Sequence, residues 1–429
     1  MSEVLTEKCA QSEKSKKRAV WALIWLCWLP YAASYVGKVN YAANINQVME
    51  YYSVDHAQAG LVSTFLFFSY GIGQFINGFL CKKYNIRWMI FLSLTVSGAA
   101  NLAVAFTPSF AVVKYLWLIN GLALSILWAT TVRLLTETLS KRDMAKATLV
   151  MGTTVASGTL AIYGLSAIFT VFDAFKLAFV VAGVLLPAVA VLWAVALPGV
   201  TRRAKAASLE YEAEDAQKGS TPTETQNASS GAALYIMIAV LAIFAVAVNL
   251  INDGLKTWVP SIMKETYGLG DSLSIVLSLA LPLVAIFSNV FSVWMHEKFP
   301  NFVLQCGISF TGAALVMGIV IAGVSLGQFA TTLLGFAAVC FLIASCNNLI
   351  TGVFPLFMKD KINSGRIAGV LNGFCYLGST ISSYGLGVIA DNGGWNAVFY
   401  LLLGVCLAIV LIAAIYLACV GMGAHKNKN

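Results

Sequence analysis

Apolar residues run in long blocks along this chain, and polar residues gather in short breaks between them. Blocks near 20–43, 58–81, 87–106, 110–136, 145–170, 175–197, 232–258, 272–295, 302–324, 328–357, 365–389 and 396–420 are long and apolar enough to cross a bilayer. A crossing takes about 20 residues to span roughly 30 Å of hydrocarbon, and a helix satisfies its own backbone there. The pattern predicts an all-α integral membrane protein with twelve transmembrane helices. Residues 1–18 are polar and Lys-rich, like the start of a signal peptide. The apolar run behind them continues past Ala32, Ala33 and Ser34, so it reads as the first spanning helix.

One break differs from the rest. Residues 198–231 are rich in Ala, Glu, Thr, Ser and Lys without apolar periodicity, which predicts a partly disordered linker. The chain then divides into a tail (1–18), a six-helix bundle (19–197), the linker (198–231), a second six-helix bundle (232–420) and a short tail (421–429). The bundles repeat each other. A gapless shift of 221 residues lays Ala147–Gly152 over Ala368–Gly373, Tyr163 and Gly164 over Tyr384 and Gly385, and Thr130 and Val132 over Thr351 and Val353. A parallel six-helix repeat is one way secondary transporters are built, with substrate held near the midplane between halves that rock.

Composition agrees: 59% of the 429 residues are hydrophobic and 11% charged, against about 25% charged in soluble domains. The net charge of +8 is unevenly placed. Lys14, Lys16, Lys17, Arg18, Lys82, Lys83, Lys141, Arg142, Arg202 and Arg203 fall in the tail and even-numbered loops, whereas the other loops hold Lys114, Lys176 and Lys264. By the positive-inside rule both termini are expected in the cytoplasm, in a plasma or inner membrane. The basic balance then records topology rather than a nucleic-acid partner. The nine cysteines form no CxxC pair and lie mostly in apolar runs, as small buried hydrophobes do. His56, His296 and His425 are scattered, which suggests no metal cluster. With no Walker motif and no nucleophile–base pair, neither an enzyme nor a cofactor is expected.

Charge inside a membrane costs at least about 2.5–3.5 kcal/mol, so each instance needs a reason. Lys38 sits deep in the first predicted helix, Asp253 and Lys256 in the seventh, and Arg133 toward the cytoplasmic end of the fourth. Tyr31, Tyr35, Lys38 and Tyr41 share one helical face, as do Asn249, Asn252, Asp253 and Lys256, and Asn372, Tyr376, Ser379 and Ser383. Phe67, Tyr70, Gln74 and Asn77 form a weaker stripe. Such polar residues either line a shared cavity or glue helices together. Asp253 and Lys256 could also form a structural i,i+3 pair.

Tyr35, Lys38, Asn40, Tyr41 and Ala42 together resemble Y-x-x-R-x-N-[FY]-A, the first-helix pattern of the organophosphate–phosphate antiporter family in the major facilitator superfamily. Trp128 with Arg133 is similar to its W-P-x-x-x-R, and Gly254, Trp258 and Pro260 to its G-x-x-x-W-x-P, followed here by Lys264 and Glu265. Ala368, Gly369, Gly373, Tyr376, Gly378, Gly393 and Trp395 resemble its eleventh-helix signature. The resemblance implies two pseudo-symmetric six-helix bundles and exchange of a phosphorylated substrate for phosphate. It implies an Arg from each half on that phosphate, where this chain has Lys38 and Asn252. Lysine is a point charge rather than a planar fork, so the altered site shifts weight toward a carboxylate, a zwitterion or a hydrogen-bonded phosphate ester. Of the family's loop motif, Gly78, Leu80 and Lys83 remain, and Glu297 and Lys298 keep an acid–base pair in the second half.

The sequence therefore predicts a monomeric secondary transporter of a small organic anion. Lys38, Tyr35, Tyr41, Trp128, Asn252, Lys256, Asn372 and Tyr376 are expected on the substrate and Asp253 on a coupling proton. Arg133, Lys83, Glu297 and Lys298 are expected in gating or structural roles. A transporter-like sensor of the same ligand is the other reading.

Overall fold

The computed structural model describes residues 2–80, 85–217, 231–358 and 364–426, and among these residues there is no strand. Eleven helical segments among the described residues are long and apolar enough to cross a membrane. The last, Ile367–Cys419, has 53 residues. At about 1.5 Å per residue it is more than twice the roughly 30 Å hydrocarbon thickness. It bends at Gly394 (φ 68, ψ 177), a backbone shape open to glycine and strained for other residues. Counted as two crossings, it brings the number among the described residues to twelve.

The first crossing is α1 (Ser2–Ala43), followed by the short α2 (Ile45–Tyr52); α3 (His56–Leu80) and α4 (Ile86–Phe106) are the second and third. The fourth is broken into α5 (Phe110–Leu124) and α6 (Ile126–Thr138), and the fifth into α7 (Lys141–Met151) and α8 (Thr154–Val171). The sixth is α9 (Lys176–Gln217) and the seventh α10 (Ala232–Tyr267). The eighth is α11 (Asp271–Ser278) with α12 (Ala280–Lys298), the ninth α13 (Phe302–Ser325), and the tenth α14 (Phe329–Asn348). A π-helical stretch, Leu349–Val353, joins α14 to α15 (Phe354–Phe357), and α16 (Ser364–Lys426) supplies the last two.

Helix extends beyond the predicted spans at both tails and at the linker. The predicted linker 198–231 is helical as far as Gln217, with residues 218–230 outside the described part. Its Ala, Arg, Lys, Leu and Glu residues are strong helix formers, and Ala204 and Ala207 are buried in the apolar core of the first bundle. Residues 2–18 of the predicted tail are helical as well, part of α1.

Buried asparagines tie the first bundle together. Asn40 Nδ2 donates to Asn101 Oδ1 at 2.7 Å, and Asn120 Nδ2 donates to the Gly37 carbonyl at 2.8 Å, fixing α1 against α4 and α5. The repeat is visible in the fold as well: Thr130 and Thr351 fall on crossings four and ten, and Gly152 and Gly373 on five and eleven.

The halves meet along α3 and α16 and along α8 and α11. Thr64 Oγ1 donates to the Thr380 carbonyl (3.0 Å), Ser272 Oγ to the Ala167 carbonyl (2.9 Å), and Ser261 Oγ to Asn46 Oδ1 (2.6 Å). These bonds concentrate at the end where α3 begins, away from the chain termini. Gly60 on α3 lies so close to α16 that an added Cβ would stand 2.1 Å from the Ser383 carbonyl oxygen. One apolar core, running from Tyr41, Ile45 and Val62 to Trp258, Leu386 and Trp395, crosses the seam there. That rim is closed.

Candidate functional site

Beneath the closed rim is a cavity of about 340 Å³ between the halves, within the range of small-molecule sites. Its walls include three places where a crossing breaks its helix: Gly152 between α7 and α8, Ser278 at the end of α11, and Thr351 in the π-helical stretch. Irregular backbone at membrane depth persists where it lines a cavity or is buried in protein, and π-bulges recur at functional sites.

Helical spacing on α1 turns Tyr35 and Lys38 into this cavity together. Lys38 is 7% exposed. Its Nζ lies 3.8 Å from the ring centroid of Tyr70, 5.3 Å from those of Tyr35 and Tyr376, and 5.8 Å from that of Phe67. Three crossings thus hold one ammonium among four aromatic rings. Each such contact contributes about 0.5–2 kcal/mol, more when desolvated. No carboxylate pairs with Lys38 among the described residues.

The second half provides a polar wall. Asn249, Asn252, Asp253 and Lys256 of α10 all line the cavity, as their shared helical face implies. Asp253 and Lys256 form no ion pair, which overturns the i,i+3 pairing considered from spacing; Asp253 Oδ2 instead accepts from Ser379 Oγ of α16 at 2.6 Å. Across the seam, Tyr163 OH donates to the Lys256 carbonyl at 3.4 Å. The Oδ1 atoms of Asn249 and Asn252 are buried without a hydrogen-bond partner in the protein. A buried unpaired acceptor costs about 1–3 kcal/mol, so these oxygens suit donors brought by a ligand or water. Counting Lys38 and Lys256 against Asp253, the formal charge of the wall is +1.

The remaining expected residues separate. Tyr376 lines the cavity, and Asn372 does so while donating to Gln74 of the other half. Tyr41 reaches the wall but spends its hydroxyl on the Ala59 carbonyl (2.9 Å) and packs on Trp117, a tie between α1 and its neighbours. Trp128 is not part of the cavity lining: it is 39% exposed with its ring 5.0 Å from Tyr31. Arg133 binds Glu137 one helical turn on, Nε to Oε1 at 2.7 Å. Glu297 is exposed, and Lys298 lies over the Trp294 ring at 4.4 Å, so the two side chains make no acid–base pair with each other. Lys83 falls outside the described residues.

Sequence reasoning passed over Asn289, Asn347 and Asn348, which join Asn249, Asn252 and Asn372 on the cavity wall. Adjacent amides at Asn347 and Asn348, inside an apolar run, were the available signal. It also passed over a cluster at the rim, where His56 Nδ1 lies 2.6 Å from Asp391 Oδ1 and Nε2 lies 2.8 Å from Glu265 Oε1.

Comparison with known proteins gives the same architecture. The pattern described as Major Facilitator Superfamily matches residues 27–383. A "Probable hexose phosphate transport protein" of Chlamydia pneumoniae is 20% identical over 427 residues, covering 94% of this chain and 92% of that protein. The "Membrane sensor protein UhpC" of Escherichia coli K12 is 21% identical over 393 residues, covering 87% and 86%. Among solved structures, the xylose transporter XylE from E. coli superposes with a TM-score of 0.67 at 10% identity, over 91% of this chain and 98% of that one. This multi-pass membrane chain, built as a transport protein rather than an enzyme, belongs to the major facilitator superfamily.

Proposed function

We propose that the chain is a secondary transporter that carries a small organic anion by alternating access to the central cavity. The observation that carries this reading is Lys38, a buried cation solvated by aromatic faces and left without a carboxylate partner among the described residues. An unneutralised ammonium in a cavity of formal charge +1 calls for an anion. The relatives named for hexose phosphate transport support a phosphorylated metabolite. Lys38 and Lys256 then hold the phosphoryl group, while Asn252, Asn372, Tyr35 and Tyr376 meet the hydroxyl-bearing part of the substrate. Arg133, Lys83, Glu297 and Lys298 serve structure or gating. The unit is a monomer in the plasma or inner membrane, with bundles near 19–197 and 232–420. The positive-inside distribution puts both termini in the cytoplasm. The closed rim then faces outward, and the cavity is shut off from the outside.

Two couplings fit. Exchange against inorganic phosphate needs only the anion site. Proton symport needs a group that gains and loses a proton, and Asp253 is the carboxylate in the wall. A thermal-shift screen of phosphorylated and carboxylated metabolites tests the site directly, since a ligand that binds the folded state stabilises it. A phosphorylated sugar should raise the Tm of the wild type and shift Lys38→Ala much less at the same concentration. Equal shifts in both proteins would remove Lys38 from the site. The relative named as a membrane sensor favours a second reading, in which the same ligand is bound and reported without flux.

A further inference from the structure

Outside the cavity, three titratable side chains meet across the seam at the closed rim. His56 opens α3, just before the apolar stretch predicted at 58–81, and belongs to the first half. Glu265 and Asp391 lie beyond the apolar stretches predicted at 232–258 and 365–389, and belong to the second. Both imidazole nitrogens face carboxylate oxygens, Nδ1 to Asp391 at 2.6 Å and Nε2 to Glu265 at 2.8 Å. The backbone N–H groups of His56 and Ala57 donate to the Asp391 carboxylate at 3.2 and 2.8 Å, and Trp395 Nε1 donates to Glu265 Oε2 at 2.9 Å. The rings of Trp258 and Trp395 flank the imidazole at 5.6 and 5.3 Å.

This arrangement needs one proton more than a neutral histidine brings. A neutral imidazole has one N–H and one lone pair. Placed as here, the lone pair would face an ionised carboxylate oxygen at hydrogen-bond distance, which is repulsive. Both contacts become attractive when the ring carries two protons. The other charged groups nearby are engaged elsewhere: Lys264 Nζ pairs with Asp271 at 2.9 Å, and Asp55 accepts from the Gln58 N–H at 2.7 Å. The His56 side chain is 19% exposed, so protons reach it from water.

We propose that His56, Glu265 and Asp391 form a proton-binding site that exists only while this rim is closed, so that a proton on His56 clamps the two halves together. The proposal rests on the alternating-access reading. When the halves part, His56 leaves both carboxylates and its imidazole returns to water, with an ordinary pKa near 6.5. Closing therefore takes up a proton and opening releases it to the same side. The sign follows. The proton's contribution to closure is greatest at low pH and is lost as pH rises, because only the doubly protonated ring bonds both carboxylates. One proton changes the closed-to-open ratio up to about tenfold per pH unit. The device is separate from any coupling at Asp253, because the clamp lies at the rim and passes no proton through the cavity.

Spin labels across the rim test this without any substrate. Glu50→Cys on α2 and Gln328→Cys before α14 place exposed labels on opposite halves. Cys9, Cys81 and Cys419 are replaced by serine, and the other six cysteines are buried. Between about pH 5.5 and 8.5 the short-distance population should fall as pH rises. In His56→Gln, which keeps polar contacts but cannot titrate here, the distances should stop following pH. Glu265→Gln leaves one carboxylate on the ring and should move the transition to lower pH. A wild-type rim indifferent to pH, a His56→Gln rim that still follows it, or a Glu265→Gln transition left in place would each overturn the proposal. The readout is independent of transport, so a chain that binds its ligand without flux can still show the clamp.

Discussion

Lys38 stands at membrane depth among the rings of Tyr70, Tyr35, Tyr376 and Phe67, and in the proposed site the substrate supplies its counter-ion. A charge-assisted hydrogen bond contributes about 1.5–3 kcal/mol, so Lys38→Ala should weaken anion binding roughly tenfold to a hundredfold with little loss of yield. Binding isotherms of the purified variant check this, and unchanged affinity would refute it. Asp253 accepts a hydrogen bond from Ser379 and forms no ion pair with Lys256. If the coupling is proton symport through Asp253, Asp253→Asn should lose accumulation driven by an imposed proton gradient and keep substrate exchange. Uphill accumulation by that variant would exclude Asp253 as the carrier. The sequence made Lys38 and Asp253 conspicuous because a charge inside an apolar run has few explanations. Trp128, expected in the site from its motif, is not among the residues lining the cavity, since motif spacing fixes a helix but not which way the side chain turns at a broken one. His56, Glu265 and Asp391 were invisible as a group: His56 and Glu265 lie near the ends of α3 and α10 and Asp391 just before the bend of α16, and only the fold brings them together.

At the scale of the helix, periodicity located the crossings because the bilayer imposes a length and a polarity on each. It could not locate the breaks at Ser125, Gly152 and Leu279 or the π-helical stretch, since these leave hydropathy unchanged and depend on what packs beside them. Nor did polarity alone distinguish a linker from helix: residues 198–217 are polar, yet their helix formers and buried alanines extend α9. The contact of α3 with α16 carries the clearest expectation. Gly60 permits an approach that one methyl would block, and overpacking of this kind costs about 1–3 kcal/mol. Gly60→Ala should therefore part the rim. With a reporter thiol at Ser63→Cys on the cavity wall, an impermeant maleimide added from the rim side should react at least about fivefold faster, since 1 kcal/mol is a factor of about five in population. An unaltered rate would mean that α3 and α16 do not form the gate.

Taken whole, the molecule is two related bundles joined at one rim over a cavity whose two walls differ in chemistry. The first half gives Lys38 and most of the aromatic rings; the second gives Asp253, Lys256 and six asparagines. The internal repeat was legible because matching residues recur at one offset, and the difference between the walls was legible only in part, through the stripes on the first, seventh and eleventh helices. Rocking about such a seam would move substrate, and the same fold can also report a ligand without moving it, so flux is what decides. The most direct measurement is uptake of radiolabelled hexose phosphate into proteoliposomes preloaded with inorganic phosphate, comparing the wild type with Lys38→Ala. The account predicts phosphate-dependent uptake by the wild type and its loss in the variant. Hexose phosphate bound by the wild type without uptake, or uptake undiminished in Lys38→Ala, would contradict it.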